Sequence, residues 1–198
     1  MNNETLKYYD NNAQDFSSST FSVDFQEVQE KFLKYLSPDA KILDFGCGSG
    51  RDTKYFLDKG YEVEAIDGSP ELCSLASKNT GIEVKQMLFQ ELAAKEEYDG
   101  IWACASILHL PMEELKEVMK KLYYALKAEG ILYASFKYGA FEGIRNGRYF
   151  TDINEERLEA LLEEVQGFTP IEVWISGDAR PGREEEKWLN TIAKKYSK

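Results

Sequence analysis

The chain has 198 residues, the length of one domain, and its 43% hydrophobic and 30% charged residues are typical of a globular protein. A formal net charge of −11 disfavours extended contact with DNA or RNA, because an acidic surface repels a polyanion. One histidine and three isolated cysteines predict reduced thiols and no metal site. Apolar runs too short for a bilayer, and an N-terminus unlike a signal peptide, predict a cytoplasmic protein without membrane contact.

The N-terminal part of the chain precedes the first predicted strand. Aromatic residues, Tyr9 among them, stand between Asn and Ser over residues 4–21, a composition that fits an aromatic-anchored arm. Apolar residues at helical spacing then predict a helix over residues 25–36. Pro38 ends this helix, because proline disfavours the helical conformation in the residue before it.

Strands and helices alternate along the rest of the chain. Strands are predicted over residues 41–45, 61–66, 82–87, 98–104 and 131–136, and helices over 51–59, 70–78, 112–127 and 154–166. Two further strands, 168–175 and 187–193, are joined by a segment too short for a crossover helix and should pair antiparallel. We therefore expect one α/β domain over residues 1–198, with a seven-stranded, mostly parallel sheet that ends in an antiparallel hairpin.

A glycine loop follows the first predicted strand. The sequence Asp44-Phe-Gly46-Cys-Gly48-Ser-Gly50 leads from that strand into a helix, a geometry that presents backbone N–H groups to a ligand at the carboxyl edge of a sheet. The next strand ends in Asp67, whose carboxylate can accept both hydrogen bonds of a ribose diol. Together the loop and this acid predict a nucleoside-binding site.

The spacing of the glycines argues against a dinucleotide. The pattern G-x-G-x-x-G would require glycine where this chain has Arg51, and a bulky side chain hinders the close backbone approach that a pyrophosphate needs. We expect Arg51 and Asp52 to cap the following helix and to be solvated. The spacing therefore disfavours a nicotinamide-dependent oxidoreductase, which stays as an alternative, as does a non-catalytic nucleoside-binding module.

The acid and glycines resemble motif I of the class I S-adenosylmethionine-dependent methyltransferases. Ile66-Asp67-Gly68-Ser69 resembles motif II, and Tyr98–Ser106, followed by Ile-Leu-His109-Leu-Pro, resembles motif IV of small-molecule methyltransferases. The chain looks most similar to the tellurite-resistance-methyltransferase-like branch. Two positions depart from the family pattern: Met87-Leu-Phe lacks the acid that commonly contacts adenine, and Ala128-Glu-Gly replaces Pro-Gly-Gly.

This resemblance implies a Rossmann-like fold, S-adenosyl-L-methionine as cofactor and a small-molecule acceptor. It also implies that residues 1–37, approximately, form a helical lid. The cofactor-binding residues that it implies are Tyr9, Asp44, Gly46, Cys47, Gly48, Asp67, Gly68, Leu88, Phe89 and Cys104. Asp44 would lie near the methionine amino group, while Leu88 and Phe89 would enclose the adenine ring.

Candidates for contact with the acceptor lie in the second half of the chain. His109 follows the fourth strand, near which substrate sites gather in open α/β sheets; it is either a packed residue or a general base. Arg145, Arg148 and Arg180 are either surface residues or part of a small anion-binding pocket, since the planar guanidinium suits carboxylate and phosphate. We expect methyl transfer to a small molecule; the sequence leaves the oligomeric state undetermined.

Overall fold

The structure is a computed structural model that describes residues 3–183 and 185–196, without the side chain of Asn3. The helices are α1 (Asn3–Asn11), α2 (Ala13–Thr20), α3 (Gln26–Leu33), α4 (Arg51–Asp58), α5 (Pro70–Thr80), α6 (Met112–Ala125) and α7 (Glu155–Val165). The strands are β1 (Lys41–Phe45), β2 (Glu62–Asp67), β3 (Lys85–Gln86), β4 (Tyr98–Ala103), β5 (Leu126–Lys137), β6 (Glu142–Arg145), β7 (Arg148–Thr151), β8 (Phe168–Gly177) and β9 (Lys187–Lys195).

Seven strands form one sheet in the order β3-β2-β1-β4-β5-β9-β8. The pairs from β3 to β5 are parallel, and β9 lies antiparallel between β5 and β8. The predicted α/β sheet with an antiparallel terminal hairpin is therefore confirmed. Because β1, β2, β4 and β5 run parallel, their carboxyl ends meet at one edge, where the glycine loop and the end of β2 lie side by side.

Large apolar side chains bury both faces of this sheet. Trp102, in the central strand β4, is fully buried and stacks on Tyr133 of β5, with 3.9 Å between ring centroids. On the other face, α6 packs its apolar stripe of Leu115, Val118 and Leu122 against the strands. This core fixes the positions of the strand ends, and with them the loops that carry the site.

The structure differs from the expectations at several elements. The third strand covers only Lys85–Gln86, an exposed pair at the sheet edge. The helix α3 is shorter than the predicted 25–36 helix, whereas the helices α1 and α2 fit the helical segment that the resemblance implies. The hairpin β6–β7, which was not predicted, turns at Asn146-Gly147, where both residues have positive φ (51° and 75°). An Asn-Gly pair is a strong hairpin signal, but the strands beside it are short and largely polar.

Candidate cofactor and acceptor site

A cavity of about 520 Å³ lies at the carboxyl edge of the parallel strands. Its volume is within the range of pockets that enclose small organic ligands. One group of lining residues, here called the glycine-loop half, comprises Gly46, Cys47, Gly48, Arg51, Asp52, Asp67, Phe89 and Cys104. A second group, here called the arginine end, comprises His109, Lys137, Arg145, Arg148, Asp152, Asp178, Arg180, Arg183, Glu186 and Lys187.

The glycine loop folds back on the end of β2. Gly46 has φ of 87°, and a Cβ atom there would lie 2.5 Å from the Cβ of Ser106, so only glycine fits without displacement. Gly50, with φ of 82°, lets α4 begin close to α5, because a Cβ there would lie 2.7 Å from Thr80. Both glycines therefore serve close packing between elements.

The backbone N–H groups of this loop are largely used inside the protein. The amides of Gly46 and Cys47 both donate to the carbonyl of Ile66 at 2.9 Å, and that of Gly50 donates to Cys47 at 3.0 Å. Gly48 donates to Asp67 at 2.9 Å. The expectation that the loop offers unbonded amides to a ligand is therefore wrong for these four residues, and a phosphate cradle of the usual kind is not built here.

Asp67 ends β2 and lies in the cavity wall, beside β1. Its Oδ2 accepts the Gly48 amide and its Oδ1 accepts the Ser69 amide, each at 2.9 Å. Burial raises the pKa of Asp67, and the hydrogen bonds from Ser69 and Gly48 partly offset that rise. Because a carboxylate has about four acceptor positions, these two bonds leave capacity for hydroxyl donors.

Asp44 lies beneath the loop and outside the cavity lining. It is 2% exposed and accepts the Thr53 hydroxyl at 2.5 Å. Burial, together with the nearby charge of Asp52, raises its pKa. The structure thus does not support direct contact between Asp44 and a ligand in the cavity.

Arg51 and Asp52 instead form part of the cavity wall, contrary to the expectation of a solvated helix start. Asp52 is 7% exposed and accepts hydrogen bonds from Arg51 at 2.8 Å, Gln29 at 2.6 Å and the Trp102 indole at 2.8 Å. Burial alone would raise the pKa of Asp52, but the Arg51 charge and these donors hold it below its usual value. Gln29 and Trp102 come from α3 and β4, so the residues near Asp52 in the sequence give no signal of its burial.

Of the two residues predicted to enclose the adenine ring, Phe89 lines the cavity and Leu88 does not. Phe89 is 2% exposed, lines the cavity and packs on Phe45 with 4.6 Å between ring centroids. Leu88 is not part of the lining, and its amide donates to Glu91 at 2.8 Å. Gly68 is also outside the lining, and a Cβ there would lie 2.8 Å from Leu6 of α1.

The helices α1 and α2 cover the glycine-loop half. Tyr9 and Phe16 line the cavity and meet edge to face, with 5.2 Å between ring centroids. Thr20 donates to the Ser49 hydroxyl at 3.0 Å, and Ser69 donates to Asp10 at 2.5 Å. These bonds fasten the helices to both the glycine loop and the end of β2.

His109 is buried and bonded through both ring nitrogens. Its Nδ1 lies 2.7 Å from the carbonyl oxygen of Tyr149, which can only accept, so Nδ1 carries the proton. Nε2 is therefore the acceptor, and the Tyr9 hydroxyl donates to it at 2.8 Å. Burial, with the positive charge of Arg148, lowers the pKa of His109 to about 4. The imidazole is accordingly neutral at neutral pH.

Cys104 directly follows β4 and lies in the cavity wall. Its Sγ is 3.8 Å from Arg51 Nη2 and 3.9 Å from the Ser135 hydroxyl. Burial, and after it the charge of Asp52, raises the pKa of Cys104 to about 12, and burial raises that of Cys47 as well. Both side chains are therefore thiols at neutral pH, and neither is activated as a nucleophile.

All three candidate arginines line the cavity. Arg145 and Arg148 come from the hairpin β6–β7, and Arg180 comes from the loop between β8 and β9. Within the arginine end, cations outnumber carboxylates: Lys137, Arg145, Arg148, Arg180, Arg183 and Lys187 against Asp152, Asp178 and Glu186. This excess stands out in a chain whose net charge is −11.

The described part of the chain contains neither a cluster of metal-ligand side chains nor a helix suited to cross a membrane. Over residues 3–183 and 185–196, no three His, Cys, Asp or Glu side chains lie together as metal ligands would. Within those same ranges, no helix combines the length and apolar character needed to cross a membrane.

Residues 42–130 match the family model described as a methyltransferase domain, and this match covers just under half of the chain. Residues 42–130 are thus similar to a methyltransferase domain, and the glycine loop, Asp67 and β4 all fall inside the matched residues.

The matched relatives extend beyond the domain. An uncharacterized methyltransferase of Staphylococcus carnosus is 25% identical over 122 residues, which are 58% of this chain and 59% of that protein. The 18S rRNA (guanine-N(7))-methyltransferase bud23 of Schizosaccharomyces pombe is 27% identical over 139 residues, 62% of this chain and 52% of that protein. The chain therefore spans between half and three fifths of the length of these two relatives.

A solved structure resembles nearly the whole chain. Burkholderia thailandensis 1,6-didemethyltoxoflavin-N1-methyltransferase, crystallised with 1,6-didemethyltoxoflavin and S-adenosylhomocysteine, has a TM-score of 0.75 at 23% identity. The likeness covers 98% of this chain and 91% of that chain. It establishes the methyltransferase fold of the domain, including the terminal hairpin.

Proposed function

We propose that this protein transfers the methyl group of S-adenosylmethionine to a small-molecule acceptor. One observation carries the proposal: a single cavity joins the glycine-loop half, which suits a cationic nucleoside, to the arginine end, which would receive the acceptor. The proximity of two binding regions within one cavity is what an in-line transfer between two bound molecules needs.

The charge of the glycine-loop half fits S-adenosylmethionine better than a dinucleotide. The lining there contains two carboxylates, Asp52 and Asp67, and one cation, Arg51. A sulfonium cation suits such a wall, whereas a pyrophosphate would meet two carboxylates and a loop whose amides are already bonded. These features favour the methyltransferase over a nicotinamide-dependent oxidoreductase.

Specific cofactor contacts follow from this placement. Asp67 would accept the ribose hydroxyls, Phe89 would pack on adenine, and Gly46, Cys47 and Gly48 would line the methionine part. Tyr9, together with Phe16, would exclude water from the reacting centre. We do not propose direct contact for Asp44, Gly68 or Leu88, because none of the three lines the cavity.

The proposed chemistry requires little of the protein beyond alignment. When bound, S-adenosylmethionine supplies a methyl group already activated on a sulfonium. For an oxygen or nitrogen acceptor, the Tyr9 oxygen would accept the acceptor's proton while His109 Nε2 takes the hydroxyl proton of Tyr9. A soft sulfur, selenium or tellurium nucleophile, as in the tellurite-resistance-like branch, would need neither residue.

We infer that the acceptor is not a nucleic acid. The net charge of −11 opposes a polyanion, and the helices α1 and α2 are hydrogen-bonded over the cavity. Those same bonds lead us to propose that residues 1–198 fold as one domain, which a single unfolding transition would support. A cytoplasmic location is our further proposal; Cys47, Cys73 and Cys104 are all unpaired thiols.

A transfer assay tests the proposed function. The full chain is incubated with S-adenosylmethionine labelled in the methyl group and with panels of thiols, amines, phenols, carboxylates, metalloid oxyanions and ribosomal RNA. We expect label in at least one small-molecule class and none in RNA. Binding of S-adenosylhomocysteine without any transfer would point to a non-catalytic module, while labelled RNA would contradict a small-molecule acceptor.

A further inference from the structure

The three cavity arginines differ in how their charge is balanced. Arg145 donates to both oxygens of Asp152, at 2.9 and 3.1 Å. Arg180 donates to both oxygens of Asp178, at 2.9 and 2.6 Å. Bidentate pairs of this kind neutralise the charge and use the best-directed donors of the guanidinium. Arg145 and Arg180 therefore fix the loops that carry them.

Arg148 has no such partner among the residues that the structure describes. Its Nε is buried and without a hydrogen bond to any of them. Its Nη1 lies 3.4 Å from the Tyr9 hydroxyl, a long contact. A guanidinium has five N–H donors, and a buried donor such as this Nε costs free energy when it has no acceptor.

Aromatic rings surround Arg148. Its guanidinium carbon lies 4.4 Å from the ring centroid of Tyr8, 5.1 Å from that of Phe150 and 5.8 Å from that of Tyr9. Such rings attract the cation through their faces and orient its plane, but they offer no lone pair to the in-plane N–H groups. The guanidinium is thus held in place while its buried Nε has no acceptor among the described residues.

The hairpin that carries Arg148 is itself fixed. The Tyr149 amide donates to the Thr5 hydroxyl at 2.9 Å, and the Tyr149 carbonyl accepts from His109. The strand that carries Arg148 is therefore held by α1 on one side and by His109 on the other. A preorganised cation loses little entropy when an anion binds.

We propose that Arg148 binds an anionic oxygen group of the acceptor, a carboxylate or a phosphate, and that the protein thereby selects acceptors that carry one. The inference rests on the proposed function for the identity of the ligand as a methyl acceptor. The planar guanidinium matches both groups bidentately, and an anion in this position would supply the missing partner for the buried Nε. Arg145 and Arg180, already paired, would not take that role.

Binding of matched probes tests this role. Benzoate, its neutral counterpart benzamide and inorganic phosphate are titrated calorimetrically into the full chain, with and without S-adenosylhomocysteine. We expect benzoate or phosphate to bind at least about tenfold more tightly than benzamide, and whichever anion binds identifies the group recognised. Arg148→Met should lower the affinity for that anion by about tenfold or more, and Arg148→Lys, which keeps the charge but loses the fork, by a smaller factor.

Lys34→Met is the matched control, because it removes an equal charge from an exposed residue outside the cavity lining. Its affinity for the anion should change by no more than about twofold. A wild-type protein that prefers neither anion, or a preference that survives in Arg148→Met, would overturn the inference. If Arg148→Met does not fold, an unchanged affinity in Arg148→Lys would do the same. Failure to bind S-adenosylhomocysteine would count against the proposed function instead, since the titrations without it still report on Arg148.

Discussion

The two parts of the cavity are built differently. In the glycine-loop half the polar groups satisfy one another: Asp67 takes the amides of Gly48 and Ser69, and Asp52 takes Arg51, Gln29 and Trp102. In the arginine end, Arg148 keeps a buried Nε without a partner among the described residues. These polar groups of the glycine-loop half are hydrogen-bonded within the protein before any ligand binds. In the arginine end, the Arg148 Nε is a donor that only a ligand would satisfy.

This difference indicates where specificity is set. A prebuilt wall of fixed polar groups and aromatic faces suits a ligand of constant shape, because little reorganises on binding. An unmet cation favours whichever second molecule brings an anion. We therefore expect substitutions in the glycine-loop half to affect stability and cofactor affinity, and substitutions at the arginine end to change acceptor choice.

The largest expected effect is a loss of folding stability caused by a substitution in the glycine-loop half. Gly46→Ala adds a Cβ that would lie 2.5 Å from Ser106 at a φ of 87°, so both strain and a clash oppose it. We expect a loss of about 4 kcal/mol in the free energy of unfolding, measured by urea denaturation. Gly60→Ala is the control: its φ is 92° but a Cβ there meets nothing within 4 Å, so the loss should be about 1 kcal/mol. Equal losses in the two variants would show that the contact with Ser106 does not matter.

The second effect concerns His109 in the arginine end. Its pKa of about 4 in the folded protein lies below the ordinary 6.5, so the unfolded state binds more protons between these values. The stability of the folded protein should therefore decline as pH falls from 6.5 to 4, by about 3 kcal/mol from this group.

Comparison with His109→Gln isolates that contribution, because the variant has no imidazole to titrate. The stability difference between the two proteins should shrink or reverse as pH falls through this window. Since the chain has a single histidine, its proton NMR titration reports the pKa directly. A measured pKa near 6.5 would contradict the burial and bonding described for His109.

A third variant tests the ribose assignment. Asp67→Ala should weaken binding of S-adenosylhomocysteine by about thirtyfold, or about 2 kcal/mol, because it removes a charged hydrogen-bond acceptor. Glu62→Gln changes an exposed carboxylate at the other end of β2 and should leave the affinity unaltered. Calorimetric affinities of Asp67→Ala and Glu62→Gln that coincide would remove Asp67 from the site.

The smallest expected effect is a change in turnover caused by a substitution of Tyr9. Tyr9→Phe removes the hydroxyl that donates to His109 and lies near Arg148. We expect turnover with oxygen or nitrogen acceptors to fall by about tenfold, while turnover with a thiol changes by less than about twofold. Initial rates with matched phenol and thiol acceptors measure the contrast. A uniform loss for both acceptors would assign Tyr9 to positioning rather than to proton transfer.

Local sequence signals predicted the parts of the fold that depend on local interactions. The glycine loop, the position of Asp67 at a strand end and the order of strands and helices follow from periodicity and turn residues. Burial of Asp52 could not be predicted in this way, because it depends on Gln29 and Trp102, which are distant in the chain. Asp44 lies one residue before the end of β1. Its carboxylate accepts a hydrogen bond from Thr53 and is not part of the cavity lining.

The arginines illustrate the same limit. Their clustering toward the end of the chain suggested an anion pocket, and all three line the cavity. The sequence could not separate Arg148 from Arg145 and Arg180, because the separation depends on which arginine meets an aspartate across a turn. The Asn146-Gly147 pair is a sequence signal for a hairpin turn. The strands on either side of it are too short and polar to be predicted from the sequence.

The most direct test of the account is a pair of calorimetric titrations of the full chain, one with S-adenosylhomocysteine and one with NADH. The glycine-loop half as described predicts saturable binding of one S-adenosylhomocysteine per chain and no binding of NADH under the same conditions. Binding of NADH, or no heat from S-adenosylhomocysteine at concentrations up to the millimolar range, would contradict the assignment of this cavity to a methyl donor.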